Sequence, residues 1–196
     1  MRTRTATTDL ALVAVFAALV AACTLVPAIP VGIGVPITLQ TLGVMLAGLV
    51  LGPVRGFLAV LLYVVVGLAG LPVFAQGGAG LGNLVKPSAG YLLAFPLGAL
   101  VTGAIAMWTR DLKVWRALTL AASAIVGGIL VVHPLGILGL MVNAKLSLAK
   151  AFAVDLVFLP GDLAKVAIAA AVAVVVHKAF PVLLMSRPRR VPAPTQ

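Results

Sequence analysis

The sequence predicts an all-α, polytopic membrane protein folded as a bundle of six transmembrane helices. Hydrophobic residues make up 63% of the 196-residue chain and charged ones 9%, with a mean hydropathy of +1.24. A soluble domain of this size needs far more charge to cover its surface. Apolar runs recur along the chain between short Pro/Gly-rich or basic breaks, leaving room for five or six spans and no separate soluble domain. Residues 1–186 therefore read as one transmembrane unit and 187–196 as a short basic tail.

The first span is expected over residues 10–26, ended by Pro27 and Pro30. Ala14, Ala18 and Ala22 repeat every four positions as a smooth stripe, with Ala17 and Ala21 beside it. Small residues at this spacing let helices approach closely in lipid, either within the protein or against a partner. Residues 27–36 form an apolar loop punctuated by proline and glycine. Two short helices follow over 37–50 and 57–68, joined by a turn at Leu51-Gly52-Pro53-Val54-Arg55-Gly56. Both are short for a hydrocarbon core of about 30 Å, so tilt or a buried, partly re-entrant path is expected.

Residues 70–86 are glycine-rich and irregular, with Gln76, Asn83 and Lys86 as their polar side chains. The fourth span is expected over 88–108, and Trp108 and Trp115 flank a basic linker as interfacial anchors. The fifth, over 118–141, contains Gly127-Gly128 and His133-Pro134, which predict a kink with a hydrogen bond from His133 beside it. Residues 146–158 read as an interfacial helix or the bent end of the fifth span. The sixth span covers 163–184 and ends in Ser186-Arg187-Pro188-Arg189-Arg190.

Several function classes drop out. No Walker loop or strand–glycine–helix pattern is present, so any ATP-driven step needs another subunit. The net charge of +10 lies at the ends of apolar runs, which argues against nucleic acid. Cys23 is the single cysteine, which excludes a disulfide within the chain, and the two histidines are expected near opposite faces, so no metal site is expected. Neither a G-x-S-x-G elbow nor H-E-x-x-H occurs, and the sequence reads as that of a protein that is not an enzyme. The N-terminal run is read as a retained helix rather than a cleaved signal.

With the N-terminus inside, every arginine falls on the inner side, while the outer side holds Lys86, Lys145, Lys150 and Lys165. This bias predicts cytoplasmic N- and C-termini in the cell membrane.

The chain has four acidic residues and no glutamate, so Asp162 and Lys165, three apart at the start of an apolar run, stand out. A structural role would have Asp162 cap the helix and Lys165 snorkel or pair with it. A functional role would have the aspartate accept from a neutral ligand head and the lysine hold a carboxylate. Asn83 can donate and accept toward an amide or ureido group. Lys86 suits a headgroup or a ligand, Tyr91 and Phe74 offer flat apolar surface or packing, and Gln40 caps or bridges near a helix start.

Four ordered motifs carry a family resemblance: Val35-Pro36-Ile37-Thr38-Leu39-Gln40-Thr41-Leu42-Gly43 through Leu61-Leu62-Tyr63; Gly70-Leu71-Pro72-Val73-Phe74-Ala75 with its glycine loop; Pro87-Ser88-Ala89-Gly90-Tyr91-Leu92; and Leu159-Pro160-Gly161-Asp162-Leu163-Ala164-Lys165. Together they resemble the BioY family, the substrate-capture (S) components of biotin transporters of the energy-coupling factor class, over about residues 8–185. The resemblance implies six helices, biotin as ligand with no cofactor, and partnership with a transmembrane coupling subunit and ABC-type ATPases. It leaves room for a homo-oligomer when the coupling module is absent. By motif it implies Asp162, Lys165, Asn83 and Tyr91 as ligand contacts, and places the docking face on the alanine side of the first helix. An S component for another small vitamin or precursor is the alternative. The chain departs from the family's Gly-Pro-Thr-Gly-Gly-Tyr, reading Lys86-Pro87-Ser88-Ala89-Gly90-Tyr91, which keeps a hydroxyl and adds a positive charge.

Overall fold

The helices stand where the apolar runs place them in this computed structural model, which describes residues 6–31, 34–112, 116–181 and 183. In chain order they are α1 (Ala6–Ala22), α2 (Gln40–Leu51), α3 (Pro53–Leu68), α4 (Ala89–Trp108), α5 (Arg116–Ala124), α6 (Val132–Asn143), α7 (Leu148–Leu156) and α8 (Leu159–Ala179). A wide π-helical segment, Ile125–Val131, joins α5 to α6, so that Arg116–Asn143 runs as one long helix. By length and composition that helix, α4 and α8 are each able to cross a membrane, while α1, α2 and α3 are shorter and apolar. Trp115 and the basic tail lie outside the described residues.

α4 is the centre of the bundle, packed by α2, α3 and α6. α1 lies on α3, α8 bridges α2 and α5, and α7 leans on α6. α2 is only 12 residues long, about 18 Å at 1.5 Å per residue. Most of it is buried against its neighbours, so it has little lipid-facing surface and no need to cross the full core. The outward faces carry large apolar side chains such as Leu10, Val54, Leu97, Leu130 and Val175, as lipid contact requires.

Some boundaries differ from the sequence expectation. α1 starts at Ala6, and α2 starts at Gln40 rather than 37, because Ile37 pairs with Ile29 in an antiparallel bridge that closes the first loop. In the fifth span the expected irregularity takes the form of a local widening. Pro134 has no N–H, and its ring presses on the carbonyl four residues back, at Leu130 inside the π segment. Residues 148–156 form a separate helix, started by Ser147, whose hydroxyl accepts from the Lys150 N–H at 3.4 Å.

Candidate functional site

One end of the bundle opens into a cleft between the first loop, the glycine-rich loop and the starts of α2, α4 and α8. Its empty space, open mouth included, is about 850 Å³. Gln40, Phe74, Asn83, Lys86, Tyr91, Asp162 and Lys165 all line it, so residues spread over 125 positions of sequence meet in one place.

Asp162 lies in the first turn of α8, but its side chain does not cap the helix. It turns sideways, where its Oδ1 accepts from Thr41 Oγ1 at 2.7 Å and from Lys165 Nζ at 2.9 Å. Lys165 also donates to Thr41 Oγ1 at 3.0 Å. The three groups form a closed triangle between α2 and α8. Both charged members are buried, Asp162 at 3% exposure and Lys165 at 6%, so snorkelling does not describe Lys165. A buried pair of this kind is costly to form and worse to break, because removing one partner leaves an uncompensated charge.

His133 shows what the sequence reading missed. Its Nδ1 lies 2.8 Å from Asp155 Oδ2, and its Nε2 lies 3.3 Å from Asp162 Oδ2. Asp155 also accepts from the Tyr91 hydroxyl at 2.8 Å. The hydrogen bond expected beside the proline is therefore an imidazole held between two carboxylates. The π segment ends directly before α6, which carries His133 on its first turn toward α7 and α8. Tyr91 reaches Asp155 because Gly136 leaves room for its ring, where a Cβ would overlap it. Phe158 meets the same ring edge to face, with centroids 5.8 Å apart.

The remaining expected residues are placed as follows. Gln40 is buried and bridges, its amide donating to the Tyr63 hydroxyl and accepting from Thr38. Phe74 packs edge-on against Tyr63 and lies over Gly67. Asn83 is buried, and its Nδ2 donates to the Ala79 and Gly80 carbonyls at 2.7 and 3.1 Å. Its Oδ1 accepts from Lys86 Nζ at 2.8 Å. Asn83 thus braces the glycine loop as well as facing the cleft, and Lys86 stands exposed on the rim. Asn143 of α6 ties that loop to the bundle by donating to the Leu84 and Lys86 carbonyls.

Counting donors and acceptors shows what is left for a ligand. Among the described residues Lys165 uses two of its three protons, leaving one for an anionic or carbonyl oxygen. Asp162 has about four lone-pair sites and accepts two hydrogen bonds, from Thr41 and Lys165, with His133 Nε2 as a further ion-pair contact at 3.3 Å, so it keeps an acceptor position for a ligand. Tyr91, Phe95 and Phe158 add apolar surface to the cleft. Away from the cleft, Ala14, Ala18 and Ala22 lie on the exposed side of α1, while Ala17 is buried inside the bundle.

Known proteins are similar to this chain over most of its length. The BioY family model matches residues 1–182. The "Biotin transporter BioY" of Rhodobacter capsulatus is 45% identical over 188 residues, covering 91% of this chain and 98% of that protein. The protein of the same name from Rhizobium etli is 40% identical, covering 90% and 97%. The crystal structure of the S-component for biotin from an ECF-type ABC transporter superposes with a TM-score of 0.82 at 28% identity, covering 91% of this chain and 95% of that one. A bundle of this topology, matched end to end by that family's model, its relatives and a solved structure, places the chain in the BioY family.

Proposed function

We propose that this protein captures biotin at high affinity and serves as the S component of an energy-coupling factor transporter that takes it across the cell membrane. The observation that carries this reading is the pairing, in one cleft, of a spare Lys165 proton with a spare Asp162 acceptor. Biotin offers the complement in its ureido head, whose carbonyl oxygen accepts from Lys165 while its N–H groups donate to Asp162. In this reading Asp162, Lys165 and Asn83 meet the ureido group, and Lys86 at the rim takes the carboxylate at the end of the chain. Tyr91 and Phe74 give the fused rings their apolar surroundings. The protein acts as a transport component and not as an enzyme.

The cleft faces outward and both termini lie in the cytoplasm, as the arginine distribution favours. A transmembrane coupling subunit docks along Ala14, Ala18 and Ala22, whose small exposed side chains permit close helix approach. Two ABC-type ATPases drive the assembled transporter.

Calorimetry on the purified protein tests the ligand. Biotin is expected to bind, and unrelated vitamins are not. Silence with biotin beside clear binding of another vitamin would assign the cleft to that compound.

A further inference from the structure

Asp155 does not line the cleft, yet it is 5% exposed and carries two contacts that lead there. One is from Tyr91 and the other from His133, itself 6% exposed. His133 presents a ring nitrogen to each aspartate, and toward an ionised carboxylate a ring nitrogen is favourable with its proton on. An imidazole donating from both nitrogens is positive. The buried set is then balanced, with Asp155 and Asp162 negative and His133 and Lys165 positive. Balance of this kind is what a low-dielectric interior demands.

We propose that His133 is a positioning residue for Asp162, held in place by Asp155, and that the pair sets the ligand selectivity of the cleft. This rests on the reading of Asp162 as the acceptor for the ureido head. With Oδ1 occupied by Thr41 and Lys165, the orientation of Oδ2 decides where the spare lone pair points. His133 Nε2 is the group that reaches Oδ2 from α6. Its charge completes the neutral buried set, so Lys86 at the rim gives the cleft its positive bias toward an anionic ligand. Asp155 orients the ring from α7, and Tyr91 orients Asp155 from α4. The pair acts through Asp162 and makes no chemistry of its own.

Three variants and two ligands test it by calorimetry on the purified full chain. His133→Asn reaches the Nδ1 position and loses the contact to Asp162, whereas His133→Gln reaches the Nε2 position and keeps it. Biotin affinity is expected to fall about tenfold in His133→Asn and largely to recover in His133→Gln. Biotin methylated on its ureido nitrogens no longer offers those protons, so its affinity is expected to change less than about threefold between wild type and His133→Asn. Asp155→Asn keeps the side-chain shape, and is expected to follow His133→Asn; it carries the same comparison should that variant fail to fold. Equal losses for both ligands, with no recovery in His133→Gln, would reduce His133 to packing and overturn the proposal. Failure of the wild type to bind biotin would instead overturn the functional reading, so the two failures stay distinct.

Discussion

Lys165 of α8 donates to Thr41 of α2 at 3.0 Å, across 124 positions of the chain. The same hydroxyl donates onward to Asp162, so a neutral side chain sets the relative position of the two charges. Thr41→Val removes the hydroxyl at nearly constant shape. A single hydrogen bond is worth about 1 kcal/mol net, so biotin affinity is expected to fall about fivefold, with Thr41→Ser close to wild type. Parallel titrations of the two variants check this, and an equal loss in Thr41→Ser, which keeps the hydroxyl, would show that the hydrogen bonds do not account for the effect.

Asp162→Asn and Lys165→Met remove one charge each while keeping most of the shape. Each is expected to weaken biotin binding by about ten- to a hundredfold. Each also takes a counter-charge from its buried partner, so a lower unfolding temperature in detergent is expected beside the affinity loss. Amidating the biotin carboxylate is expected to cost as much in the Lys165→Met background as in wild type, since the two changes remove separate contacts. Losses that fail to add in that cycle would move the carboxylate to Lys165.

Ala18→Trp tests the exposed alanine stripe. The bulky ring is expected to abolish co-purification with the coupling subunit and energy-coupled uptake of labelled biotin. Because Ala18 faces away from the bundle, biotin binding by the isolated variant is expected to stay within about twofold. Intact complex and uptake would place docking on another face.

Orientation is open to labelling. In a Cys23→Ala background, Lys86→Cys is expected to react with an impermeant maleimide added to whole cells, and Arg110→Cys only after permeabilisation. The reverse pattern would invert the topology derived from the basic residues.

The bundle was legible in the sequence because lipid imposes a simple rule: apolar runs of sufficient length become helices, and proline and glycine mark their ends. Asp162 and Lys165 were legible for a related reason, since charge in an apolar run is conspicuous. Asp155 and His133 were not. Asp155 sits seven positions before Asp162, with Pro160-Gly161 between them, and the two aspartates lie on separate helices and meet through a third residue from α6. Nothing local to His133 indicates which carboxylates α7 and α8 will bring to it. Asn83 was legible as polar in a glycine loop, but its role as a brace depends on backbone carbonyls that composition does not reveal.

The π segment between α5 and α6 gives one continuous helix two phases. Residues before Ile125 and after Val131 follow separate angular registers, joined by seven residues of wider winding. Each residue of an α-helix advances the side-chain direction by about 100°. Winding the same seven residues as ordinary α-helix would swing His133 away from both aspartates, while sequence, hydropathy and charge stayed unchanged. Deleting one of them would regularise the winding and leave the later residues close to their present direction, because a π turn holds about one residue more than an α turn. The segment therefore encodes an angle in its winding and not in its composition.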